Sequence, residues 1–125
     1  IKGINKLTTS VGNTEKTIAT VSATDSREYY RKASLINNKG YVIQIAGYYE
    51  PTLLDDLINT YPTIELYHYT KSLQGKLFYV VTSKNYSTKV DANAAMVLLP
   101  QTLRVRQPWI KSISSVLDEI NTFKL

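Results

Sequence analysis

The sequence predicts an α+β fold: a split βαβ sandwich, with a four-stranded antiparallel sheet, two helices on one of its faces and an additional carboxy-terminal helix. Three observations predict it. Short runs rich in β-branched and aromatic residues alternate at period two over 41–47, 64–70, 77–83 and 103–106. Between the first and second runs, and again between the third and fourth, apolar residues recur at helical spacing. The segment Lys71-Ser72-Leu73-Gln74-Gly75 joins the middle two runs as a tight turn. Right-handed crossovers then place the first and third runs side by side in the centre, the ferredoxin/RNP-like βαββαβ order.

Residues 1–25 are rich in Thr, Ser, Lys and Asn without sustained periodicity and read as an extended linker. Ser26 is placed to cap a short helix reaching Ile36, with Tyr29, Tyr30, Ala33 and Ile36 on the side that packs against the folded domain. The expected division is therefore a linker with a short helix over 1–39 and a folded domain over 40–125. In the first strand, Ile43 and Ile45 share one face, and Val42, Gln44 and Ala46 the other. Pro51 opens a helix that Pro62 closes, and its Leu53, Leu54, Leu57 and Ile58 cover the Ile43 side. In the third strand, Tyr79 and Val81 point one way and Phe78, Val80 and Thr82 the other. Thr88, with Asp91 three positions on, opens a second helix that Pro100 stops. Leu103-Arg104-Val105-Arg106 alternates as the fourth strand, and 111–123 carries Ile113, Val116, Leu117 and Ile120 at helical spacing.

Composition narrows the function. The formal charge of +5 divides unevenly: seven Lys or Arg against three Asp or Glu in 1–39, and eight against seven in 40–125. A nearly neutral folded part lacks the electrostatic footprint of a phosphate-backbone binder. The absence of Cys excludes disulfides, thiol catalysis and Cys-ligated zinc. There is no run of eighteen apolar residues, and the opening Ile1 suggests a fragment whose anchor would lie upstream. The single His68 sits among tyrosines in a strand, where a structural role outweighs that of base or ligand. No phosphate loop, His cluster or paired nucleophile is present, so the chain reads as a binding module, without catalytic residues, cofactor or metal.

The chemistry that stands out is on the sheet face away from the two main helices. Gln44 in the middle of an apolar strand asks for an open face, because its carbonyl and amide would both need partners in a dry interior. The expected binding surface is Gln44, Phe78, Val80, Thr82, Arg104 and Arg106, with Trp109 at the rim: flat rings to stack on, one amide and a few cations. Aromatic rings serve bases and sugars alike.

Tyr41-Val42-Ile43-Gln44-Ile45, then Leu53, Leu54 and Leu57, then Phe78-Tyr79-Val80-Val81, Tyr86 and Ala92, and the ending Gln107-Pro108-Trp109-Ile110-Lys111 resemble the SPOR (sporulation-related repeat) domain of bacterial cell-envelope proteins. The resemblance implies binding of septal peptidoglycan, as glycan strands stripped of their stem peptides, with targeting positions at Gln44, Phe78 and Trp109. It also implies a periplasmic domain of an inner-membrane protein enriched at the division septum, held to the membrane through an upstream anchor, with other divisome proteins as further partners. The exposed muramic acid carboxylates would suit Arg104, Arg106 and neighbouring lysines. Relatives often carry small serines or glycines where this chain has Ala46-Gly47-Tyr48-Tyr49, and a larger ring at Phe78. An RNA-binding module of the same topology is the alternative, but 76–82 lacks the glycine-aromatic signature of its third strand, and nucleic acid is not the expected partner. A protein–protein adaptor using the edge of 64–70 is the remaining reading.

Overall fold

A computed structural model describes residues 26–123, so the linker expected over 1–25 lies outside the described residues. The elements are α1 (Arg27–Ile36), β1 (Tyr41–Tyr48), α2 (Pro51–Thr60), β2 (Tyr67–Leu73), β3 (Lys76–Thr82), α3 (Lys89–Met96), the short α4 (Gln101–Arg104), β4 (Trp109–Ser112) and α5 (Ile113–Thr122). The four strands form one antiparallel sheet in the order β2-β3-β1-β4, the split βαβ topology, with the Gln44 and Phe78 strands as central neighbours. The hairpin between β2 and β3 turns on Gln74 and Gly75 alone, both at positive φ, as a two-residue turn matching the twist of its strands requires. Lys71-Ser72-Leu73, expected in the turn, are paired residues of β2, which starts at Tyr67 rather than at 64.

Helices cover both faces. Against one side of the sheet, α2, α3 and α4 bury Leu54, Leu57, Ala92 and Leu103 on Ile43, Ile45 and Val81. Each fully buried leucine or isoleucine contributes roughly 1.5–3 kcal/mol. Thr88 caps α3, its hydroxyl accepting from the Asp91 amide at 3.0 Å. On the other side, α1 and α5 place Tyr30, Ala33, Ile113, Val116 and Ile120 over Val42, Tyr69 and Val80. Ile36, expected on the packed side of α1, is 88% exposed, and the helix is not capped by the Ser26 hydroxyl. That hydroxyl accepts from the His68 amide at 3.1 Å while the Ser26 N–H donates to the His68 carbonyl at 2.7 Å, tying the start of α1 to the outer strand.

Two further local expectations are corrected. Residues 103–106 are not the fourth strand: the amides of Leu103 and Arg104 both donate to the Pro100 carbonyl, closing the helical turn α4 with Leu103 buried. Gln107 then takes a positive φ of 59°, and β4 begins after Pro108, pairing Gln44 with Trp109 and Val42 with Lys111. Ala46 does not share a face with Gln44, because the β1–β3 register shifts between Gln44 and Ala46. The extra residue turns both Ile45 and Ala46 toward α2 and brings Gly47 round to the Gln44 side.

The half-covered face is closed by a buried polar pair. Thr82 Oγ1 donates to the Ser83 carbonyl at 2.9 Å, so Tyr30 must be the donor in its 2.7 Å bond to Thr82. Tyr30→Phe leaves Thr82 with an unused acceptor under α1 and is expected to cost about 1–2 kcal/mol in urea denaturation.

Candidate functional site

The α1–α5 layer covers only part of its sheet face, and the uncovered part is where the chemistry gathers. Val80 and Thr82 lie wholly beneath α1 and α5 and present no surface, which corrects their assignment to an open face. The same layer hides Tyr69 and half-buries Tyr67. Tyr67 stacks on Tyr29 at 3.6 Å with the rings 6° from parallel, and Tyr30 meets Tyr69 edge-on at 5.4 Å. Arg104 and Arg106 are also displaced from the expected surface, because their segment is a helical turn and the turn that follows it. Arg104 donates to the Leu99 carbonyl at 3.0 Å and to Gln101 Oε1 at 2.8 Å, holding α4 together. Arg106 donates to the Tyr48 hydroxyl at 2.5 Å and lies over that ring, which packs with the α2–α3 side.

Gln44 and Trp109 do come together. They are cross-strand partners between β1 and β4, and both line a cleft of about 530 Å³ with Lys71, Ile110, Lys111, Ser112, Ser115 and Glu119. Trp109 is 51% exposed, a large ring standing at an edge strand where a ligand can reach it. Phe78 shares this sheet face and is the cross-strand partner of Lys71, but it does not line the cleft and is seated on Gly47. A Cβ at Gly47 would collide with the Phe78 ring, so glycine is what lets the ring lie flat there. Tyr49 meets Phe78 edge-on at 5.0 Å, and Lys76 lies over Tyr49, so the ring is part of a small aromatic step beside the cleft.

The floor of the cleft is ionic, and it is built by residues outside the expected binding surface. Lys111 is only 7% exposed. Its ammonium donates to Glu119 Oε1 at 2.6 Å, to the Tyr69 hydroxyl at 3.0 Å and to Gln44 Oε1 at 3.2 Å, and lies 5.4 Å from the Trp109 ring centre. Lys71 donates to the other Glu119 oxygen at 3.1 Å, and the Tyr69 hydroxyl also donates to Glu119. Two cations and one carboxylate leave the cluster with one positive charge in excess. The signal for Lys111 is the alternation Trp109-Ile110-Lys111-Ser112, which places Lys111 on the Trp109 face once β4 is a strand; the helical spacing from Ile113 onward masks it. Ser112 marks the change, its hydroxyl accepting from the Ser115 amide at 3.1 Å to cap α5.

Burial pushes the Glu119 carboxyl up, but the bonds from Lys111, Tyr69 and Lys71 together outweigh it and hold the group below the ordinary carboxylate value. Burial lowers the Lys111 ammonium from its ordinary value, and the hydrogen bond and charge of Glu119 offset that only in part. Burial and the adjacent Glu119 carboxylate push the Tyr69 phenol upward, keeping it a proton donor. A carboxylate whose folded pKa is depressed contributes stability that is present above its unfolded value, near about 4.3, and is lost as pH falls through the folded value. Denaturation midpoints followed from about pH 6 to about pH 3 are expected to fall through this window, and Glu119→Gln is expected to flatten that part of the profile.

No protein-family model matches the chain. Among curated proteins it is similar to "Cell division protein DamX" of Serratia marcescens, 29% identical over 52 residues, which covers 42% of this chain and 24% of that protein. The similarity thus spans about a quarter of a longer protein of bacterial cell division.

Proposed function

We propose that this chain is a non-catalytic glycan-binding domain that recognises septal peptidoglycan, as strands stripped of stem peptides, and thereby directs its parent protein to the division site. The observation that carries the reading is the Gln44–Trp109 pair at the mouth of a cleft with an excess positive floor. An exposed indole on an edge strand suits the C–H face of a pyranose, and the amide beside it fixes orientation by hydrogen bonding. Phe78 and Tyr49, in edge-on contact with each other, add a second pair of rings to the surface offered to a sugar polymer. The positive excess suits a polymer with intermittent carboxylates and is too small for a phosphate backbone. The partial similarity to a cell-division protein supports a role in division; the proposed setting is a periplasmic module tethered to the inner membrane from upstream and working beside other divisome proteins.

Co-sedimentation with amidase-treated sacculi tests this. The domain is expected to pellet with them, and Trp109→Ala or Phe78→Ala is expected to weaken retention by about tenfold, the loss of one stacking platform. Equal retention of both variants would overturn the assignment of the site. A single-stranded RNA competitor is expected to be ineffective, and competition that falls steeply between about 50 and 200 mM salt would instead favour nucleic acid.

A further inference from the structure

We propose that Lys111 and Glu119 are positioning residues that lock the Gln44 amide with its carbonyl inward, so that the cleft beside Trp109 meets its ligand with an N–H donor and selects an acceptor oxygen there. This deepens the glycan-binding reading and rests on it. An ammonium has three donors and no acceptor. The three around Lys111 are spent on Glu119 Oε1, the Tyr69 hydroxyl and Gln44 Oε1. Because Lys111 cannot accept, only the carbonyl oxygen of Gln44 can face it, which removes the two-fold ambiguity of a side-chain amide.

Glu119 holds the arrangement from α5. One of its oxygens accepts from Lys111 and Tyr69 and the other from Lys71, so three donors from two strands fix the carboxylate in place and, through it, the ammonium that meets Gln44. Gln44 Nε2 is then left with two N–H donors on the side away from Lys111. Among the described residues no protein group accepts from it. Gln44 lines the cleft next to its cross-strand partner Trp109, so a sugar stacked on the indole would bring a carboxylate or an amide carbonyl oxygen to that donor. Lys111 itself offers the ligand no free N–H and acts through the amide and through its charge.

Gln44→Glu separates the possibilities. The new carboxylate keeps an oxygen on Lys111, so the variant is expected to fold with an unchanged or higher Tm, but it places an acceptor where the donor was. Retention on amidase-treated sacculi is expected to fall at least about tenfold, the loss of a hydrogen bond to a charged or carbonyl oxygen together with a new repulsion. Full retention of Gln44→Glu would overturn the donor assignment alone, whereas failure of the unaltered chain to be retained would overturn the glycan reading. The double variant Lys111→Met with Glu119→Gln removes the ion pair as a unit. In the ligand-free protein it is expected to move the Gln44 side-chain NH2 signals in 1H–15N spectra to those of a freely rotating amide, and unmoved signals would overturn the positioning role. Chitin oligosaccharides, which carry acetamido carbonyls but no carboxylate, distinguish the two oxygen sources: competition assigns the contact to the carbonyl, and its absence to the carboxylate.

Discussion

The ammonium of Lys111 is the constraint around which this fold is arranged. A cation this buried persists only if acceptors surround it, and a single carboxylate with two neutral oxygens does so here. The carboxylate belongs to α5 and the neutral oxygens to β2 and β1, so one group ties the last helix to both an outer and a central strand. That tie determines where α5 lies across the sheet and where its cover stops. Beyond it, the same face is open.

One sheet face consequently does two jobs. The part under α1 and α5 is an ordinary core, with Val42, Val80 and Ile120 packed together and the Tyr30–Thr82 pair satisfied inside it. The part beyond Lys111 leaves Trp109 exposed and Gln44 and Phe78 half-buried, Phe78 still packing against the edge of that core. The boundary is sharp because period-two geometry lets neighbouring residues of one strand, two positions apart, stand on either side of the helix edge. Val42 and Gln44 are such a pair, as are Val80 and Phe78. The β-bulge at Ile45 contributes as well, since it brings Gly47 round to form the seat of Phe78.

The buried ion pair also has a bearing on specificity. Replacing such pairs with apolar side chains is often neutral or stabilising, so stability alone is a weak reason for its presence. Its clearest structural consequence is directional: it decides which end of an amide looks outward. An orientation held by a helix packed beside the site costs the ligand no reordering on arrival.

The sequence alone was sufficient for the topology and for two of the surface residues. Strand alternation, Pro51, Pro62, Thr88 and Pro100 are local signals, and local sterics and hydrogen bonding decide them before any long-range contact forms. Gln44 and Trp109 could be singled out for the same reason, as an amide in an apolar strand and an indole after a proline. What tertiary structure decided was which alternating segment joins the sheet and how far the last helices reach. Leu103-Arg104-Val105-Arg106 alternates as well as Trp109-Ile110-Lys111-Ser112 does, and only the burial of Leu103 against α2 and α3 and the edge left vacant beside β1 choose between them. The burial of Val80 and Thr82, and the meeting of Lys111 with Glu119, depend on pairings between segments distant in the chain, which periodicity within one segment does not encode.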